Sequence, residues 1–302
     1  MFAALLAAVL FACSAVVSQR STRIFGAIPA NFYRLCIACA VLGLVSLLRD
    51  LADGTSSIHP DILPIFLWSG LVGFGIGDIA LFLAYARLGS RLTILINWCS
   101  AALFAAGGDY LLRGRFLGLP QWIAVIAILA GLVVALRPAK AAKQAARSVS
   151  GVLFAVLAGI SMGMGTVMSG RAIDAAVRLG IDVSGVSQAF QRSSAGVLAA
   201  LVAFLIARRL GGSQPVAPAR PWKHKPFWLI STALCGPVIG VSCYQWAQSV
   251  TGSSTIVVAI ASTSSLLVIP LARAMEKDTP GVRELAGTLL AAAGVVALKL
   301  FN

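Results

Sequence analysis

Ten stretches in which apolar residues run almost unbroken divide the chain: 2–18, 32–48, 62–86, 92–112 and 118–136, then 150–169, 186–206, 227–248, 255–275 and 282–301. Each has close to the ~20 residues that a helix needs to cross hydrocarbon. Polar and basic residues collect between the runs, and a basic, Ala-rich connector, RPAKAAKQAARS at 137–148, separates five runs from five. Several runs are rich in small residues, which let helix backbones approach closely in lipid. Examples are Gly70, Gly73, Gly75 and Gly77, then Gly159, Gly163 and Gly165, and the GxxxG at Gly236 and Gly240. The pattern predicts an all-α polytopic membrane protein with ten transmembrane helices.

Composition sharpens this. Apolar residues make up 59% of the 302 and charged ones 11%, against about 25% charged in soluble domains, so a water-soluble fold and intrinsic disorder are both excluded. The formal charge of +14 could suggest nucleic acid, but such binders gather their basic residues on one face. Here Lys and Arg fall in small groups between spans, as topology signals do, so no nucleic-acid partner is expected. The first Arg is Arg20, beyond the first run; without a basic n-region that run reads as a membrane helix rather than a signal peptide. All six cysteines lie inside apolar runs, and Cys36-x-x-Cys39 has no His or Cys nearby to complete a metal site. Inert thiols, no metal and no cofactor are the expectation.

The two halves resemble each other. Phe32-Tyr33-Arg34 matches Phe190-Gln191-Arg192, Ala84-Tyr85-Ala86 matches Gln245-Trp246-Ala247, and Val133-Val134-Ala135-Leu136 matches Val295-Val296-Ala297-Leu298, at a nearly constant offset. Duplication of a five-span unit puts the second copy upside down, because five is odd. Equivalent loops should then carry opposite charge bias. After the second run Arg49 stands among Asp50, Asp53 and Asp61, whereas the equivalent loop holds Arg208, Arg209, Arg220, Lys223 and Lys225 without an acid. Two inverted five-helix repeats follow, 1–148 and 149–302. With Arg273, Arg283 and Lys299 counted in the loops or terminus they border, connectors after odd-numbered runs hold sixteen Lys and Arg against six after even-numbered ones and at the C-terminus, which places both termini on the non-cytoplasmic side.

Asp78 sits within the third run, where an Asp costs ~2.5–3.5 kcal/mol on insertion scales and therefore faces a cavity or a partner. It reads either as a proton-titrating or amine-binding carboxylate, or as a cap on a helix break in GFGIGD. The same GIGD fits a G-x-G-D pattern like that of intramembrane aspartyl proteases. Two carboxylates must share a proton in that chemistry, and apart from Glu284 at the start of the last run, Asp109 is the other acid within a run. Arg34 and Arg192 occupy matching positions; each either snorkels to headgroups or points inward, to an anionic substrate group or to Asp78. Polar and aromatic residues recur in the central spans: Tyr85, Asn97 and Trp98 in the first half, Gln188, Gln191, Tyr244, Gln245 and Gln248 in the second. They suggest a water-lined path or helix–helix contacts, with Tyr244 and Gln248 on one face. Interfacial anchoring is the simpler reading of Tyr85 and Trp98. The STSS at 262–265 either lines a cavity or bonds back to its own helix. There is no Walker A sequence, so any pumping would draw on ion or substrate gradients.

These features resemble the EamA-type permeases of the drug/metabolite transporter superfamily. The resemblance lies in GDIALFLAYARLGSRLTIL (77–95), in GPVIGVSCYQWAQSVTGSSTIVVAI (236–260) and in the repeat endings ILAGLVVAL (128–136) and LAAAGVVAL (290–298). Glu276 stands where that family often has a Glu after the fourth helix of a repeat, while the first half has Arg113-Gly114-Arg115 there. The resemblance implies a secondary active transporter of the plasma (bacterial inner) membrane rather than an enzyme. It would move a small polar or amphipathic metabolite, such as an amino acid, by alternating access with proton coupling or exchange. The fifth and tenth helices would be peripheral. A small-molecule substrate and the lipid bilayer are the partners expected, and a homodimer is an assembly the reading admits. The rival is a non-transporting membrane scaffold or assembly protein.

Overall fold

The structure, a computed structural model, describes residues 2–54, 56–114, 118–136, 148–210, 225–276 and 281–300. Every apolar run is helical, and no strand occurs among the described residues. The helices are α1 (Phe2–Phe25), α2 (Ala27–Asp53), α3 (Leu63–Leu88), α4 (Ser90–Arg113), α5 (Leu119–Leu136), α6 (Val149–Arg178), α7 (Gly185–Arg209), α8 (Pro226–Thr251), α9 (Ser254–Ser262 and Ser264–Glu276, interrupted at Thr263) and α10 (Val282–Leu300). Eight of them, α1–α4 and α6–α9, are long and apolar enough to cross a membrane. The other two are helices of 18 and 19 residues, and they pack on each other where Gly131 lies against Gly287 and Ala291.

The helices overrun the apolar pattern where polar residues find partners. α6 continues past residue 169 to Arg178, beyond the apolar run, where Asp174 is held by Arg113 of α4. The basic connector, apart from Ser148, and the Arg220–Lys223 stretch lie outside the described residues.

Tight turns join α3 to α4 at Gly89 and α8 to α9 at Gly252, at φ 81° and 64°. Only glycine takes such angles without strain. α3 and α8 share a second feature. Each contains a π-helical segment near its midpoint, Leu71–Gly77 and Leu234–Val238. Glycines weaken the α-helical preference in the first, and Pro237 removes a backbone donor in the second.

Contacts give the helix directions. Along α2 and α7, Ser46 meets Ser187 at 2.8 Å, Cys39 meets Ser194 at 3.7 Å and Phe32 stacks on Phe204 at 4.8 Å. Rising numbers on one helix meet falling numbers on the other, so α2 and α7 are antiparallel. α1 and α8 are antiparallel by the same test: Ser18 bonds Thr232, Ser14 lies by Gly236, and Phe11 packs on Gly240 and Tyr244. So are α3 and α6, through Gly77 with Ser161, Gly73 with Gly165 and Ser69 with the Gly165 carbonyl. α4 and α6 run parallel, with Gly159 against Asn97–Ala101 and Gly163 against Ala101–Ala105. The close approach expected of these glycines is therefore realised, since a side chain at Gly159 or Gly163 would meet α4 backbone.

Candidate functional site

The antiparallel α2 and α7 each carry one arginine into the interior. Arg34 is 4% exposed and Arg192 1%, so neither snorkels. Arg34 pairs with Asp78, which opens the regular helix after the π segment of α3. Its guanidinium also donates to Asn31 Oδ1 at 3.4 Å and lies 4.8 Å from the Phe82 ring centroid. The Asp78 carboxylate thus serves a neighbouring helix rather than capping its own. Arg192 donates from Nη1 to Gln245 Oε1 at 2.7 Å and stacks 5.2 Å from the Phe74 centroid.

The two arginines are crossed. Arg34, from the first half, lies against Gly236 in the π segment of α8; Arg192, from the second, lies against Gly73 and Phe74 in the π segment of α3. A Cβ at Gly236 or Gly73 would come 3.1 Å or 3.0 Å from a guanidinium nitrogen. The small residues that loosen each helix thus also admit the opposite half's charge.

A chain of amides continues from Arg192. Gln245 donates to Ser169 Oγ at 2.5 Å and to Gln188 Oε1 at 3.2 Å, and Gln188 donates to the Val183 carbonyl and Ser249. Gln248 and Tyr244, on one face of α8, both reach Thr166 of α6. Gln191 faces elsewhere, donating to the Ser57 carbonyl at 2.8 Å. Tyr244 joins Phe11 and Trp98 in an aromatic cluster with centroids 5.5 to 6.4 Å apart. Trp98 and Tyr85 are buried, the latter edge-on to Phe82. The interfacial reading of these two residues is therefore wrong, because each finds aromatic partners inside the bundle. Asn97 is buried where α4 meets Gly159. In STSS, Ser262 and Thr263 donate back to Ala259 and Ile260 of their own helix.

One cluster has no precedent in the sequence reading. Arg113, at the end of α4, grips Asp174 of α6 through Nε and Nη2, both at 2.9 Å. It also donates to Asp109 at 3.1 Å, to Ser254 Oγ at 3.0 Å and to the Gly252 carbonyl at 2.9 Å. The second oxygen of Asp109 accepts from the backbone N–H and hydroxyl of Thr255. Asp109 and Asp174 looked unrelated because 65 positions separate them in the chain; the only sequence hint was two acids inside apolar helices. Asp78 and Asp109 serve different arginines, so the shared proton that an aspartyl protease needs has no carboxylate pair here. Among the described residues no group of His, Cys, Asp and Glu is placed to hold a metal ion.

The model of the EamA-like transporter family matches the chain twice, over residues 1–137 and 149–300. No curated protein matches. A solved crystal structure, titled only as that of a protein, is similar in fold: it is 18% identical, superposes with a TM-score of 0.65, and the match covers 98% of this chain and 95% of that one.

Proposed function

The chain belongs to the EamA-like transporter family, and from that premise we propose a secondary active transporter that works by alternating access between two inverted five-helix repeats, 1–148 and 149–302. Ten spans of the plasma membrane carry it, with both termini non-cytoplasmic by loop charge. The antiparallel run of α2 against α7, the matching π segments and the glycine turns at 89 and 252 support the inversion. Inverted repeats place their substrate sites near the midplane, at unwound or irregular helix segments.

The observation that carries the reading is the crossed arginine pair. Ionisable groups at membrane depth are costly and mark substrate or ion paths. Here each is seated on the irregular segment of the opposite half, so rocking one half against the other must remake both contacts. Arg34, Asp78, Arg192 and Gln245 form the centre of the path, and small polar or amphipathic metabolites are its cargo. Asp78, through its exchangeable link to Arg34, is the group at which proton coupling would act.

Reconstitution in proteoliposomes tests this. Solute uptake driven by a pH or solute gradient is expected, and its pH dependence should vanish in Asp78→Asn. A scaffold would give no flux under any gradient, and an Asp78→Asn protein that responds to pH like the parent would remove the coupling role.

A further inference from the structure

The buried centre is unbalanced. Arg34 and Arg192 bring two guanidiniums, and among the described residues Asp78 alone answers them with a carboxylate. Arg34 takes that carboxylate. Among the described residues Arg192, 1% exposed, has no acidic partner within ion-pair distance; it rests on the neutral oxygen of Gln245 and the face of Phe74. The Nε of both arginines is buried without a hydrogen-bond partner. A guanidinium has five donors in a rigid fork that matches carboxylate and phosphate oxygens. Arg113 shows what satisfaction looks like in this fold: its Nε and both terminal nitrogens are engaged, by two carboxylates, a hydroxyl and a carbonyl.

We propose that the central site takes a solute bearing a single negative charge, a carboxylate or a phosphate, whose anionic group sits on Arg192. This deepens the transport reading and rests on it. One anion brings the centre to neutrality. A zwitterion would supply the carboxylate but also an ammonium, for which no second free carboxylate waits among the described residues; a cation would add to the excess. The same balance has a kinetic consequence. The empty carrier would have to reorient with an unpartnered guanidinium at membrane depth, which is costly, whereas the loaded one reorients neutral. Exchange of one anion for another is therefore faster than net movement.

The test uses the purified full-length protein. Thermal unfolding is followed with 2-oxoisovalerate, inorganic phosphate, leucine or tetraethylammonium present, since a ligand of the folded state raises the midpoint by mass action. Liposome flux is then measured with and without the same solute inside. The carboxylate or the phosphate is expected to raise the midpoint, and whichever does so names the group. Leucine and tetraethylammonium are expected to leave it unchanged, and internal anion should speed uptake. Gln245→Glu places a fixed carboxylate beside Arg192 with almost no change of shape, and should abolish the anion-induced shift. Arg192→Gln should weaken anion binding about 10- to 100-fold, with Arg192→Lys in between. A purely structural Arg192 would leave the anion-induced shift intact in all three, which overturns the proposal. Binding and flux of leucine or tetraethylammonium, without anion binding, would overturn the anion while leaving a transporter. Absence of any binding and any flux would remove both.

Discussion

Two buried arginine clusters in this protein differ in how completely they are satisfied. At the end of α4, Arg113 joins α4, α6 and the α8–α9 turn, and each of its nitrogens reaches an acceptor. At the centre, Arg192 shares one neutral acceptor and leaves its Nε bare. A buried polar network whose members are all paired fixes one geometry. One that leaves donors open keeps a place for something else. The first cluster is a clasp between α4, α6 and the α8–α9 turn; the second is where we propose that the solute binds.

That contrast breaks most visibly under mutation. Arg113→Met strands Asp109, whose side chain is 4% exposed, and removal of one partner from a buried pair costs about 3–5 kcal/mol. Arg192→Met leaves no carboxylate stranded and only the neutral Gln245 oxygen without its donor, so stability should fall by about 1–3 kcal/mol, less than at Arg113, while solute flux is lost. Chemical denaturation of both variants in the same detergent checks the comparison. Equal losses would mean that Arg192 is as structural as Arg113.

A smaller effect is expected where α6 touches the π segment of α3. A Cβ on Gly165 would meet the Ser69 carbonyl at 3.0 Å and Gly73 backbone at 3.1 Å. Backbone cannot swing aside as a side-chain tip can, so Gly165→Ala should cost about 1–3 kcal/mol. It should also disturb flux by pushing on the segment under Arg192. Gly107→Ala is the control, because nothing lies within 4 Å of a Cβ there; if both variants unfold alike, close helix approach is not what Gly165 provides.

What could be read in the sequence follows from how far each signal travels. Helix existence is local: an unbroken apolar run declares itself, and every predicted run is helical. Arg34, Arg192 and Asp78 stood out because ions inside apolar runs are rare, and the matching offsets of the two arginines hinted at a common place. Their crossing could not be read, since it depends on the antiparallel packing of α2 on α7. The Arg113 clasp was hidden for the same reason: its partners lie on α6 and in the α8–α9 turn, and Arg113 at a helix end resembled an ordinary topology signal. Of the π segments only the first left a trace, the helix break suggested by GFGIGD; the glycine and Pro237 of the second fit any close-packed membrane helix. Trp98 and Tyr85 were misread because a lone aromatic near the end of a run carries no sign of whether it turns toward headgroups or toward another ring.

The smallest expected effect lies between the two clusters, where Tyr244 of α8 meets Thr166 of α6 at 3.0 Å. Tyr244→Phe removes one hydroxyl and keeps the ring against Phe11, 5.8 Å away. Thr166 keeps its bond to the Met162 carbonyl at 2.8 Å, so no acceptor or donor is stranded on that side. The loss should be about 0.5–1.5 kcal/mol, the net worth of one hydrogen bond. A double-mutant cycle with Thr166→Val isolates the contact itself, and coupling indistinguishable from zero would show that α6 and α8 are held instead by the Gln248 bond to the Thr166 carbonyl and the Gln245 bond to Ser169. A larger coupling, comparable to that of the Arg113 clasp, would erase the distinction between a clasped end and a lightly tied centre.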